Sequence, residues 1–210
     1  MVASHPADFN AIRAELRASG RDLAFAKIGF HVGIGGNQAG LGDWMRQLDA
    51  AGVPFFLKSV GHAGPIYEAQ QLAQASGVPH TLVFRSMGDV PDYNLPPEEA
   101  ALEHWQKHVE LFPPELDRSL IWLETVNEID HNRAEWLAQF SITTAQLALA
   151  DGFRWAAFSW SMGEPEWVDW QSPAMLFFLR MVGQHPHRLA IALHEYSGVL
   201  NDITFESPGR

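Results

Sequence analysis

The chain of 210 residues contains no cysteine. Disulfides, thiolate metal sites and a cysteine nucleophile are thereby excluded. Basic residues are also scarce: 14 Lys and Arg stand against 25 Asp and Glu, for a net charge of -11. That balance argues against nucleic acid or an anionic membrane as a partner. No stretch reaches the roughly 18 consecutive apolar residues of a membrane span. The opening, MVASHPADFN, has no apolar core of the kind a secretory signal carries. A soluble protein is expected, cytoplasmic or secreted after loss of a leader, with its localisation otherwise open. What the chain has in quantity is apolar material: 47% of residues, including eight Trp and thirteen Phe. This suffices for one sizeable core, so residues 1–210 are expected to form a single domain.

Two segments share a grammar. WMRQLDAAGVPFFLKSV (Trp44–Val60) and YEAQQLAQASGVPHTLVFRS (Tyr67–Ser86) each run from a helical pattern through Gly-Val-Pro into a short apolar stretch. Gly52 and Gly77 suit the left-handed residue that ends a helix, and Pro54 and Pro79 forbid its continuation. The stretches FFLKSV and HTLVFRS read as strands covered on both faces, as in a parallel sheet. Further strands are expected at 26–33, 120–128, 154–163 and 189–198, with helices over 97–112, 133–150 and 174–183. Alternating strands and helices indicate βα units. Each strand keeps its polar or functional-looking residues at its C-terminal end: His31, Lys58 and Ser59, Arg85 and Ser86, Asn127 and Glu128, Ser159 to Ser161 with Trp160 between, then His194 to Tyr196. That is where a (β/α)8 barrel keeps its active site, whereas a doubly wound sheet concentrates such groups at one switch point.

Asn127-Glu128 at the end of the fourth strand resembles the acid/base motif of clan A glycoside hydrolases, which are retaining (β/α)8 enzymes. His194 and Tyr196 resemble the His-x-Tyr that many members place beside the sugar, and Trp160 falls where the fifth strand supplies an aromatic wall. The resemblance implies cleavage of O-glycosidic bonds with Glu128 as general acid/base. Asn127, His194, Tyr196, Trp160, His31, Lys58 and Arg85 would then line the substrate site, with a carbohydrate as partner and no cofactor. In that clan the nucleophilic Glu ends the seventh strand, and only six strands are countable here. The fourteen residues after Tyr196, SGVLNDITFESPGR, are too short for two more βα units. The expected fold is therefore α/β, a TIM-barrel-like array of about six βα units, incomplete and open to self-association through its unpaired edges. The alternative is a catalytically silent carbohydrate-binding or structural fragment with the same cleft and no nucleophile.

Other constellations carry plainer readings. A carboxylate inside a strand, as at Glu124, needs a partner, and Lys58 and Arg85 are the candidates for a structural ion pair. Glu195 alternates with His194 and Tyr196, so it becomes a second carboxylate, and a stand-in nucleophile, only if its strand is bulged. In GFHVGIGGNQAG (Gly29–Gly40) a dinucleotide fingerprint from Gly33 requires glycine where Gln38 stands. His31 at the base of this loop is equally a sugar contact or a core histidine. His104 and His108 lie four apart on a helical pattern without further ligands, so exposed helix histidines are expected and no metal site. Lys58 and Ser59 lack a G-x-S-x-G elbow. Of the tryptophans in SWSMGEPEWVDW, Trp160 is expected to meet ligand, and Trp167 and Trp170 to pack as core or lid.

Overall fold

A computed structural model describes residues 8–20, 28–88, 90–161 and 164–194. The fold is α/β, with six strands alternating with helices as expected. The chain forms two compact units, one of Met1–Phe84 with Pro113–Ile121, the other of Arg85–Phe112 with Trp122–Arg210.

The first unit begins with helix α1 (Phe9–Ala18), which the polar look of the N-terminal stretch had concealed. Asp8 caps it by accepting a hydrogen bond from the Ala11 N–H at 3.0 Å. Strand β1 (Gly29–Val32), helix α2 (Leu41–Ala50), strand β2 (Phe56–Val60), helix α3 (Gly64–Ser76) and strand β3 (Thr81–Arg85) follow. The strands lie in chain order, and β1 pairs with β2 in parallel register, Gly29 opposite Phe56 and His31 opposite Lys58. Gly52 and Gly77 adopt φ of 68° and 74°, the left-handed values that let both helices stop before the Val-Pro steps. Phe55, Leu57, Ile66 and Leu82 are fully buried. Each such side chain contributes about 1.5–3 kcal/mol of transfer free energy. His80 is buried as well; its Nδ1 accepts the Phe55 N–H at 3.1 Å, leaving Nε2–H for Asp49 Oδ1 at 2.9 Å. One imidazole thus joins the end of α2 to the start of two strands. Gln70 of α3 ties down the 113–121 segment through the Glu115 carbonyl and the Asp117 N–H.

The second unit contains helix α4 (Pro97–Leu111), strand β4 (Trp122–Glu124), helix α5 (Ala134–Ala150), strand β5 (Arg154–Trp160), helix α6 (Pro173–Gln184) and strand β6 (Leu189–Leu193). β5 pairs in parallel with β4 on one side and with β6 on the other. Six of its seven residues are buried, which explains why RWAAFSW shows no apolar-polar alternation. Trp155 is fully buried and donates its indole N–H to Thr125 Oγ1 at 3.2 Å. Among the described residues β1 and β6 each pair along one side only.

One expected boundary changes in a way that bears on the site. β4 was expected to run to Glu128, but it ends at Glu124. Glu124 is therefore the last strand residue rather than a mid-strand one, and Asn127-Glu128 lie in the connection that follows. Glu128 itself turns into the left-handed region, with φ of 44°, which a regular strand does not accommodate.

Candidate functional site

The site residues of the second unit come from the ends of three strands and the last residue of β3. Arg85, 6% exposed, places Nη1 at 3.9 Å from Oε2 of Glu124, which is 3% exposed. The same guanidinium nitrogen donates to Oδ1 of Asn127. The buried carboxylate thus faces a cation, Arg85, one of the two the sequence offered. Asn127 is held with its amide oxygen toward the guanidinium, which leaves its NH2 end as a donor.

Glu128 is placed by backbone rather than by side-chain packing. Its N–H donates to the Ser159 carbonyl at 2.8 Å, and the His194 N–H donates to the Trp160 carbonyl at 2.8 Å. Between those two acceptors β5 is irregular: its register with β6 shifts between Phe158 and Trp160, and Phe158 and Ser159 adopt φ of 74° and 50°. A bulge of this kind bends the strand and re-aims side chains. The outcome is that Glu128 Oε1 and His194 Nδ1 lie 3.3 Å apart, with side-chain exposures of 42% and 18%. When Glu128 is ionised it only accepts, so the proton between the two sits on Nδ1. Three non-glycine residues in a sparsely populated backbone region, all at one set of strand ends, store local strain of order 1–3 kcal/mol each.

Behind this mouth lies a buried polar layer. His104 and His108, expected on an exposed helix face, are 5% and 0% exposed. They occupy the buried face of α4, where polar strand-end groups await partners. His104 Nε2–H donates to the Thr125 carbonyl at 2.6 Å, and His108 Nδ1 lies 2.6 Å from Ser86 Oγ. Burial, reinforced by His104 and Lys107, lowers the His108 pKa to about 3, so the ring is neutral at physiological pH. Among the described residues no group of three metal-ligating side chains occurs.

The rim is organised by short-range bonds. Asp130 accepts from the Asn132 N–H at 3.0 Å, which holds its carboxyl below the usual range and starts a 3-10 turn over His131–Arg133. Arg133 lies 4.9 Å from the Tyr93 ring centre, and the Tyr93 hydroxyl accepts the Asp130 N–H at 3.3 Å. His131 Nδ1 is 2.9 Å from Glu164 Oε1 in the loop after β5.

Of the expected aromatic contacts, Trp160 is fully buried and its ring packs 5.2 Å from that of Phe158. It therefore presents no open stacking face, because the bulge folds it into the core. Trp167, expected as core or lid, is 78% exposed. His31 is exposed and Lys58 is 5% exposed; both belong to the first unit, on neighbouring strands at the same register position. Glu195 and Tyr196 lie outside the described residues. Sequence reasoning missed the Tyr93–Arg133–Asp130 clamp, though the Asp-x-Asn spacing of a capped turn was there to be read. It had no signal for the bulge, since nothing in Phe-Ser-Trp announces a left-handed backbone.

These features define an α/β protein whose second unit brings a half-exposed carboxylate against an imidazole at its strand ends, over a layer of buried polar groups. No family model, no curated protein and no solved structure matches the chain.

Proposed function

We propose that the second unit acts on carbohydrate, as a retaining glycosidase in which Glu128 is the general acid/base. The observation that carries this reading is the Glu128–His194 contact at 3.3 Å, beside an Asn127 amide fixed by Arg85. A glycosidic oxygen departs readily only if protonated, and a carboxyl at a strand mouth, reachable from solvent, can supply that proton. In the first step an enzymic carboxylate attacks the anomeric carbon while Glu128 protonates the leaving oxygen. In the second, Glu128 takes a proton from the water that hydrolyses the glycosyl-enzyme. His194 Nδ1–H orients the ionised carboxylate between the steps, and the Asn127 NH2 donates to a sugar hydroxyl.

A binding-only reading has one observation in its favour. Nearby carboxylates among the described residues are engaged elsewhere: Glu124 with Arg85, Asp130 with Asn132 and Arg133, and Glu164 with His131. Glu195, adjacent to His194 in sequence, is the position to test as nucleophile.

A panel of aryl glycosides separates these readings. The glycosidase reading expects the Glu128→Gln protein to lose about 10²–10⁴-fold in turnover of phenyl glycosides. It expects a much smaller loss on dinitrophenyl glycosides, whose leaving groups need no proton. Equal losses on both would remove Glu128 from the acid role. Turnover abolished by Glu195→Gln would assign the second carboxylate, and sugar binding without any turnover would leave the binding-only reading.

A further inference from the structure

The first unit contains a cavity of about 300 Å³ that takes no part in the site above. It is built by the end of β1 and the glycine-rich connection to α2, and its side-chain walls include Phe30, His31, Asn37, Leu41 and Trp44. Phe30 and Trp44 meet edge to face with ring centres 4.8 Å apart, and Trp44 leans in turn on Phe55, at 5.2 Å and fully buried. The aromatic corner is thus anchored to the core. Local bonds hold the loop part of the wall: Asn37 Oδ1 accepts the Ala39 N–H at 3.0 Å, and the Gly36 N–H bonds to the Gly33 carbonyl at 3.1 Å. Among the described residues no Asp, Glu, Lys or Arg lines the cavity.

Gly33 is the informative residue. Unlike Gly35 and Gly40, with φ of 75° and 80°, it has no positive φ that would demand glycine. A Cβ built on it meets no atom within 4 Å, so packing does not demand glycine either. Gly33 lines the cavity, and a side chain there would enter open space.

We propose that this cavity is a binding site for a small uncharged molecule that offers one flat apolar face and a polar edge. The volume lies at the lower end of the range of small-molecule sites, room for a single ring rather than an extended cofactor. The Phe30–Trp44 corner takes the apolar face. His31, on the rim, takes the polar edge. The described lining carries no charged side chain, which favours a neutral ligand, because an ion placed against it would lose hydration without gaining a partner. Sugar rings and neutral aromatic heterocycles share this chemistry.

Ligand-observed NMR on the full chain, with a panel of methyl glycosides in one arm and neutral heterocycles (indole, uracil, nicotinamide) in the other, tests the proposal and tells the two sources apart. The expected result is binding in one arm, weakened tenfold or more by Gly33→Val and about fivefold by His31→Ala, each loss corresponding to filled space or a missing hydrogen bond. Gly33→Val should keep the wild-type circular dichroism spectrum and thermal midpoint, which separates a blocked cavity from a damaged fold. No binding in either arm, or binding that Gly33→Val leaves intact, overturns the proposal. Glu128→Gln should leave this binding unchanged; sensitivity to it would mean that the probes report the second unit's site instead.

Discussion

Within the second unit, one short stretch of chain serves two regions of opposite character. Below the strand ends, Glu124 is 3% exposed and faces Arg85, while His104 and His108 are buried against Thr125 and Ser86. At the mouth, four residues after Glu124, Glu128 is half-exposed and touches the partly exposed His194. Both regions use carboxylates and imidazoles. In the lower one, these groups are buried against fixed neighbours and act as structure. In the upper one, a carboxylate and an imidazole meet each other in reach of water. Residue type does not distinguish scaffold from chemistry here; hydration and the partner do.

The strongest way to break this contrast is to make the lower region behave like the upper one. Arg85→Met removes the guanidinium beside the buried Glu124 carboxylate, a change expected to cost about 3–5 kcal/mol. Urea unfolding should show that loss, and the double variant Arg85→Met, Glu124→Gln should recover a substantial part of it. A single-variant cost below about 1 kcal/mol would mean that water reaches Glu124 and that the two regions are not distinct.

A smaller effect comes from the buried imidazole. The folded-state pKa of His108 is lowered to about 3 from a usual 6.5, so between those values the unfolded chain binds a proton that the folded chain does not. Stability therefore rises with pH across this window and is lost as pH falls from about 6.5 toward 3. From pH 6 to pH 4 the single proton is worth about 2–3 kcal/mol. Carboxylates titrate in the same range, so the measurement is the difference between wild type and His108→Asn. The variant should show a flatter decline of denaturation midpoint with acid; parallel declines would place His108 in contact with water.

How much of this was visible in the sequence follows from what each feature depends on. Helix ends and strand order depend on local chemistry, Gly-Val-Pro above all, and these were legible. So was the need for a cation beside Glu124, because burial of a lone carboxylate is costly wherever it occurs. The inward turn of His104 and His108 was not, since four-residue spacing on a helix says which residues share a face and not which face is covered. The placement of Glu128 was least legible. It depends on a bulge in β5, some thirty residues downstream (Glu128 to Phe158), that no local propensity encodes.

That placement supplies the smallest expected effect and the most direct test of the mouth. Glu128 holds φ of 44°, a conformation that costs a residue with a Cβ about 1 kcal/mol and glycine almost nothing. Glu128→Ala and Glu128→Gly both delete the contact with His194, so their difference isolates the backbone. If the left-handed turn is imposed by the bond from the Glu128 N–H to the Ser159 carbonyl, the glycine variant should be more stable than the alanine variant by about 0.5–1 kcal/mol. Thermal unfolding monitored by circular dichroism resolves that as a shift of a few degrees. An alanine variant equal to or more stable than the glycine variant would show that the turn relaxes once the carboxylate is gone. The carboxylate would then be shaping the backbone, and the strand ends would not be a preformed support for it.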